Sequence, residues 1–272
     1  MFRPARDGLN LATKFASIAL VACSTGAPRP IEDHAVGSAA PIPPVLVAPP
    51  GPYRIQSGEF ARGDVQVRVE WPDVSVEARA SSGRTACGTA AAPAVAPTTT
   101  WGIPDAFVAI DTDHGKAPVD PGARIVLANC ALSPRVALAG AAFVVESDSD
   151  APAQLALARA GSASPLVATA GSGAVAIDLP IAGHAVSAPL AADALYELTG
   201  SAAEPAWLAT PTQPYVAVTE ANGQVVLRDV PIGNYTVEAL VPPRGGQPAR
   251  TGHASVAVTA NALAEVTVQI GR

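Results

Sequence analysis

The chain has 272 residues, 49% of them hydrophobic but only 4% aromatic, and a formal net charge of −6. That charge excludes a nucleic-acid binder, which needs a basic stripe to neutralise phosphates. The length allows one large domain or two small ones, and the apolar residues are mainly Ala and Val, with Lys14 and Lys116 the only lysines.

In chain order, residues 1–22 come first. Arg3, Arg6 and Lys14 precede the apolar run from Phe15 to Ala22, which ends at Leu20-Val21-Ala22-Cys23. A basic region, an apolar core and small residues ahead of a cleavage point read as an export signal, not as folded structure. The core is far shorter than the ~20 residues of a membrane-spanning helix. Leu20 to Cys23 resembles the lipobox of bacterial lipoproteins, which implies that Cys23 carries lipid as the first residue of the mature protein. One acyl chain binds weakly, at ~0.8 kcal/mol per buried methylene, whereas the three chains usual for such proteins hold permanently. Ser24 follows the cysteine, which resembles an outer-membrane address, periplasmic or surface-exposed.

Residues 23–58 contain eight prolines (28, 30, 41, 43, 44, 49, 50 and 52). Such a segment favours extended polyproline-like conformations and predicts a disordered tether, reaching on the order of 100 Å at ~3.1 Å per residue.

From Gly63 the pattern has period two: Val65, Val67, Val69 and Trp71 alternate with Gln66, Arg68 and Glu70. Alternation of this kind gives a strand one apolar and one wet face, and Trp71 belongs in the core. Similar runs recur at 106–111, 124–129, 135–138, 141–146, 154–159, 174–179, 215–219, 224–228, 234–241, 254–259 and 263–270. Asn222-Gly223 between two of them predicts a hairpin, because both residues tolerate positive φ. No segment after the signal keeps a helical period, so the mature chain is expected to be all-β.

With Cys23 lipidated, Cys87 and Cys130 remain in an oxidising compartment, where a disulfide is the expected state and two separate buried thiols the alternative. The bridge closes a loop of 44 residues, 87 through 130, for which the chain-entropy model gives about 4 kcal/mol. No C-x-x-C occurs, so neither a redox dithiol nor a structural zinc site is supported.

Pro214-Tyr215-Val216-Ala217-Val218-Thr219, Asn222-Gly223 and Val230-Pro231-Ile232-Gly233-Asn234-Tyr235-Thr236-Val237 resemble the carboxypeptidase regulatory-like (transthyretin-like, Ig-like) β-sandwich. That resemblance implies a non-catalytic accessory fold and says almost nothing about function. The rest is similar to envelope proteins in which a cupredoxin-like sandwich interrupts the transthyretin-like one. It implies first strands in 59–117, an insert over 118–212, and the remainder of the outer sandwich over 213–272. Copper-binding members carry a His after an acidic turn and a C-x-x-H-x-x-M run; those positions fall on Gln154, Leu198, Ser201 and Glu204. A blue-copper site needs two imidazoles, a thiolate and an axial ligand, so the resemblance implies a module that has lost its metal, and no cofactor is expected.

The remaining candidates are sparse. His34, His114, His184 and His253 each stand alone, expected respectively in the tether, a turn, a loop and a strand edge, all solvated. Asp111, Asp113, Gly115 and Asp120 form half of a calcium loop without the closing Glu. Glu146, Asp148 and Asp150 alternate, which would share one face of an extended stretch. Solvated turns, which are rich in Asp anyway, account for both acidic groups, with calcium the lesser alternative. Trp101, Trp207 and Tyr215 are a candidate aromatic platform for sugar rings, although such residues more often fill a core. No paired acid and base or activated nucleophile stands out, so no enzyme is expected. These readings converge on a lipid-anchored envelope protein with a structural or interaction role, its partner an envelope protein or polysaccharide. The alternatives are a carbohydrate-binding module and a copper-binding or electron-transfer relative.

Overall fold

The computed structural model describes residues 54–55, 61–79, 84, 102–112, 114–115, 122–160 and 173–271. All of them fall within one compact unit, Ala48–Arg272. The described part is all-β apart from one helical turn, α1 (Val76–Arg79). The expected export signal, Cys23, His34, Cys87, Trp101, Asp113 and Asp120 lie outside the described residues.

The first strands are β1 (Arg54–Ile55), β2 (Arg62–Glu70), β3 (Phe107–Asp111) and β4 (His114–Gly115). Next come β5 (Arg124–Ala128), β6 (Ala131–Ser133), β7 (Val136–Leu138), β8 (Ala142–Ser147), β9 (Ala153–Ala160) and β10 (Ala174–Leu179). They are followed by β11 (Ala185–Pro189), β12 (Leu195–Gly200), β13 (Ala206–Ala209) and β14 (Val216–Val218). The last four are β15 (Gln224–Pro231), β16 (Gly233–Val241), β17 (Arg250–Val258) and β18 (Leu263–Gln269). Within the stretch expected as a tether, β1 pairs in parallel with β4, Arg54 against His114. His114 therefore sits in a strand, not in a turn.

Strand pairing follows the alternation. Val65, Val67 and Val69 of β2 are fully buried while their neighbours are half-exposed. β2 lies between β15, antiparallel, and β18, parallel. A second sheet has the order β14-β3-β16-β17. The strands between β3 and β14 in the chain pair only among themselves, as β11-β8-β5-β6 and β10-β9-β12-β13-β7, β4 excepted.

Two hydrophobic cores result. One gathers β2, α1, β15, β16, β17 and β18 around Val67, Ile110, Tyr215 and Val237. The other gathers β5 to β13 around Ile125, Phe143, Leu198 and Trp207. β3 serves both: Val108 and Ile110 face the first, while Phe107 and Ala109 belong to the second, joined by Leu240 of β16. Successive strand residues point to opposite faces, so β3 is buried on both sides, and its Phe107-Val108-Ala109-Ile110 run is apolar throughout for that reason. The sheet β14-β3-β16-β17 is a layer common to the two cores.

The Asn222-Gly223 turn has the expected chemistry but not the expected partners. Gly223 has φ 77, its N–H donates to the Glu220 carbonyl at 2.8 Å, and the Gln224 N–H donates to Asn222 Oδ1 at 2.9 Å. The flanking strands then part, β14 to β3 and β15 to β2. The predicted hairpin is in fact a corner between sheets. Further along β15 a bulge between Leu227 and Val230 places Asp229 at φ 60. Asp64 Oδ1 accepts the Asp229 N–H at 3.0 Å, and the buried Tyr215 hydroxyl donates to the Asp229 carbonyl at 3.0 Å. Tyr215→Phe is expected to lose about 1 kcal/mol in urea denaturation, the net worth of one such bond. No loss at all would show that solvent replaces the bond in full.

Candidate functional site

The four positions where the resemblance would put metal ligands, Gln154, Leu198, Ser201 and Glu204, lie on β9, β12 and the segment after it. β9 and β12 are antiparallel with Leu155 opposite Gly200, which sets Gln154 beside Ser201. The Ser201 hydroxyl donates to the Gln154 carbonyl at 3.1 Å and accepts the Gln154 N–H at 3.0 Å; the Ser201 N–H also donates to that carbonyl at 2.9 Å. Gly200, at φ 125, has no side chain here because a Cβ would sit 2.2 Å from the same carbonyl oxygen. Leu198 is fully buried in the core. Glu204 Oε2 lies 2.8 Å from Arg135 Nη2. The strand register thus gathers Gln154 and Ser201, while Leu198 and Glu204 turn to other partners.

A second polar cluster joins the two strand sets. Arg244, in the loop between β16 and β17, places Nη1 3.6 Å from Asp105 Oδ2 and donates from Nη2 to the Pro104 carbonyl at 3.1 Å. Its side chain is 9% exposed. Burial pulls the guanidinium down to about 10, Asp105 opposes this, and Arg135 and Glu204 act more weakly in opposite senses. It stays charged at neutral pH. The loop is pinned by reciprocal backbone bonds between Arg244 and Gln247 and turns through Gly245 and Gly246, both at positive φ. The ion pairs Arg244–Asp105 and Arg135–Glu204 make a charge-balanced cluster that fixes position. Nothing in the sequence marks Arg244 beyond its place between Pro243 and a Gly pair, and the sequence reading missed it.

The aromatic platform is not formed by Trp207 and Tyr215. Trp207 is 4% exposed in one core and Tyr215 is 2% exposed in the other. Their large apolar area is used for packing, and the indole Nε1 of Trp207 is buried without a partner among the described residues.

The acidic groups also disperse. Glu146, on β8, pairs with Arg124. The strand ends at Ser147, whose hydroxyl accepts the Ser149 N–H at 3.1 Å, so Asp148 and Asp150 lie in the following turn and not on one extended face. Asp111 closes β3. His184 is exposed in the loop before β11, and His253 stands on edge strand β17 opposite Glu238. Partial burial, reinforced by Asp111, raises the Glu238 carboxyl while His253 opposes the shift. Among the described residues no three His, Cys, Asp or Glu side chains group in a way that could hold a metal ion. Cys130 stands at φ 65 in the turn between β5 and β6. Comparison with protein-family models, with curated proteins and with solved structures returns no match.

Proposed function

We propose that the chain is a non-catalytic, lipid-anchored protein of the bacterial cell envelope, held in the outer membrane through Cys23, with a structural or interaction role. One observation carries the non-catalytic half of this reading. The four positions where the resemblance would put metal ligands are occupied by Gln154 and Ser201 bonded to each other, Leu198 in the core, and Glu204 paired with Arg135. Each contributes to packing or strand register. The finer architecture belongs to the proposal too: a transthyretin-like sandwich over 59–117 and 213–272, interrupted by a metal-free cupredoxin-like sandwich over 118–212. Support comes from strand order, since β2 and β3 pair with strands after 213 and β5 to β13 pair internally. The partner is an envelope protein or polysaccharide.

The anchor is tested by fractionating cells that express the chain and its Cys23→Ala variant. The parent should sediment with membranes and the variant should appear in the soluble fraction; equal distribution would remove the lipid from the account. Titration with Cu²⁺ should give no thiolate absorption band. Cys87–Cys130 pairing is part of the same proposal, since these two cysteines remain in an oxidising compartment once Cys23 carries lipid. Reduction should then lower stability by about 2–4 kcal/mol, and labelling of both thiols before reduction would refute the bridge.

A further inference from the structure

An asparagine followed by glycine is prone to spontaneous deamidation, because glycine has no side chain to hinder attack of its backbone nitrogen on the carboxamide. Of the five asparagines, Asn10, Asn129, Asn222, Asn234 and Asn261, only Asn222 precedes a glycine. It is exposed at the corner between β14 and β15. By sequence and exposure alone, this bond should age.

The folded corner keeps both reacting groups otherwise engaged. The nucleophile is the Gly223 nitrogen, whose N–H donates to the Glu220 carbonyl at 2.8 Å. The electrophile is the Asn222 carboxamide, whose Oδ1 accepts the Gln224 N–H at 2.9 Å and whose Nδ2 lies 3.4 Å from Gln224 Oε1. Ring closure requires the Gly223 N–H to lose its proton and the nitrogen to reach Cγ, so these bonds must break first. The flanking backbone does not yield easily. Val69 N–H donates to the Gly223 carbonyl at 2.9 Å, and a Cβ on Gly102 would lie 2.0 Å from the Asn222 carbonyl oxygen. Freeing the corner therefore means parting the start of β15 from β2.

We propose that Asn222 is a deamidation site which the closed corner silences and an open corner exposes, and that isoaspartate formed there stops the corner from closing again. The Gly223 nitrogen attacks Asn222 Cγ, the Cγ–Nδ2 bond breaks, and ammonia leaves a cyclic succinimide. Water then opens the ring at either carbonyl. Opening at Cγ gives aspartate on the original backbone, whose carboxylate still accepts the Gln224 N–H. Opening at the α-carbonyl gives isoaspartate, in which the main chain runs through Cβ and Cγ and is one carbon longer. Where the corner meets Gly102 there is no room for a single added carbon on either backbone. The longer chain cannot make that crossing. A chain that folds promptly keeps its asparagine, and one that lingers open collects a lesion that holds it open.

The test incubates the full chain in mildly alkaline buffer, folded in one arm and unfolded by guanidinium in the other. Mass spectrometry follows amide-to-acid conversion on the peptide that contains residue 222. The folded arm should react at least about tenfold more slowly, since reaction proceeds only through local opening. Asn222→Gln, which would have to close a larger ring, should show no conversion at residue 222 in the unfolded arm over the same period. The aged unfolded chain is then returned to buffer beside a reference unfolded at acid pH, where the nitrogen keeps its proton. Aspartate-bearing molecules should refold with the reference. Isoaspartate-bearing ones, marked by isoaspartyl methyltransferase, should remain in the protease-sensitive fraction. Equal rates in the two arms overturn the protection, and isoaspartate-bearing chains that refold as completely as the reference overturn its consequence.

Discussion

Gly102→Ala is expected to destabilise the protein by about 3 kcal/mol or more, the upper end of the cost of forcing atoms into a packed site. A Cβ at residue 102 would lie 2.0 Å from the Asn222 carbonyl oxygen and 2.9 Å from its carbon. From the other side, a Cβ on Gly223 would lie 2.5 Å from Gly102 Cα. Both obstacles are backbone, so no side chain can rotate out of the way. The crossing is also stitched in place: Val69 N–H donates to the Gly223 carbonyl and Ile103 N–H to the Val69 carbonyl, each at 2.9 Å. Gly246→Ala is the control. That residue also has positive φ but nothing within 4 Å of its would-be Cβ, so it should lose only the ~1–2 kcal/mol of left-handed strain. Equal losses in urea denaturation would mean that the close approach contributes nothing.

The second large effect is expected at Phe107. Its side chain is 1% exposed and lies on the face of the common sheet that meets the β5–β13 core. Phe107→Ala should cost about 3–5 kcal/mol, the range for emptying a buried aromatic site. The manner of unfolding should change too. Trp71 reports on one core and Trp207 on the other, so variants keeping one of these two indoles as the probe follow each core separately. In the parent the two denaturation curves should coincide; in Phe107→Ala the Trp207 curve should move to lower urea than the Trp71 curve. A loss below about 1 kcal/mol, or curves that move together, would place the coupling elsewhere.

Much of the secondary structure was legible because half-buried strands advertise themselves by alternation. The runs at 174–179 and 263–270, for example, correspond to β10 and β18, within a residue at their ends. β13 escaped because Ala206-Trp207-Leu208-Ala209 is buried on both faces, which leaves no polar residue to mark the period. β11 and β12 escaped because such short segments carry weak period-two signals. Asn222-Gly223 disclosed a turn, yet which strands it joins depends on contacts made by β2 and β3 more than a hundred residues away. The candidate site was less legible. Trp207 and Tyr215 look alike in a sequence whether they line a surface or fill a core, and only packing assigns them. The Gln154–Ser201 contact could be placed by counting along the resemblance, but the hydroxyl that bonds both ways across the strands could not.

The place of β2, between β15 and β18, has a consequence for biosynthesis. A nascent chain displays Val65, Val67 and Val69 long before either neighbour has been translated, because the parallel partner, β18, lies far downstream of β2 in the chain. Sheets that wait for distant segments assemble slowly and leave apolar edges open meanwhile. Closure of this sheet must therefore wait until β18 has been made, and holdase chaperones have their longest window on its earliest strand.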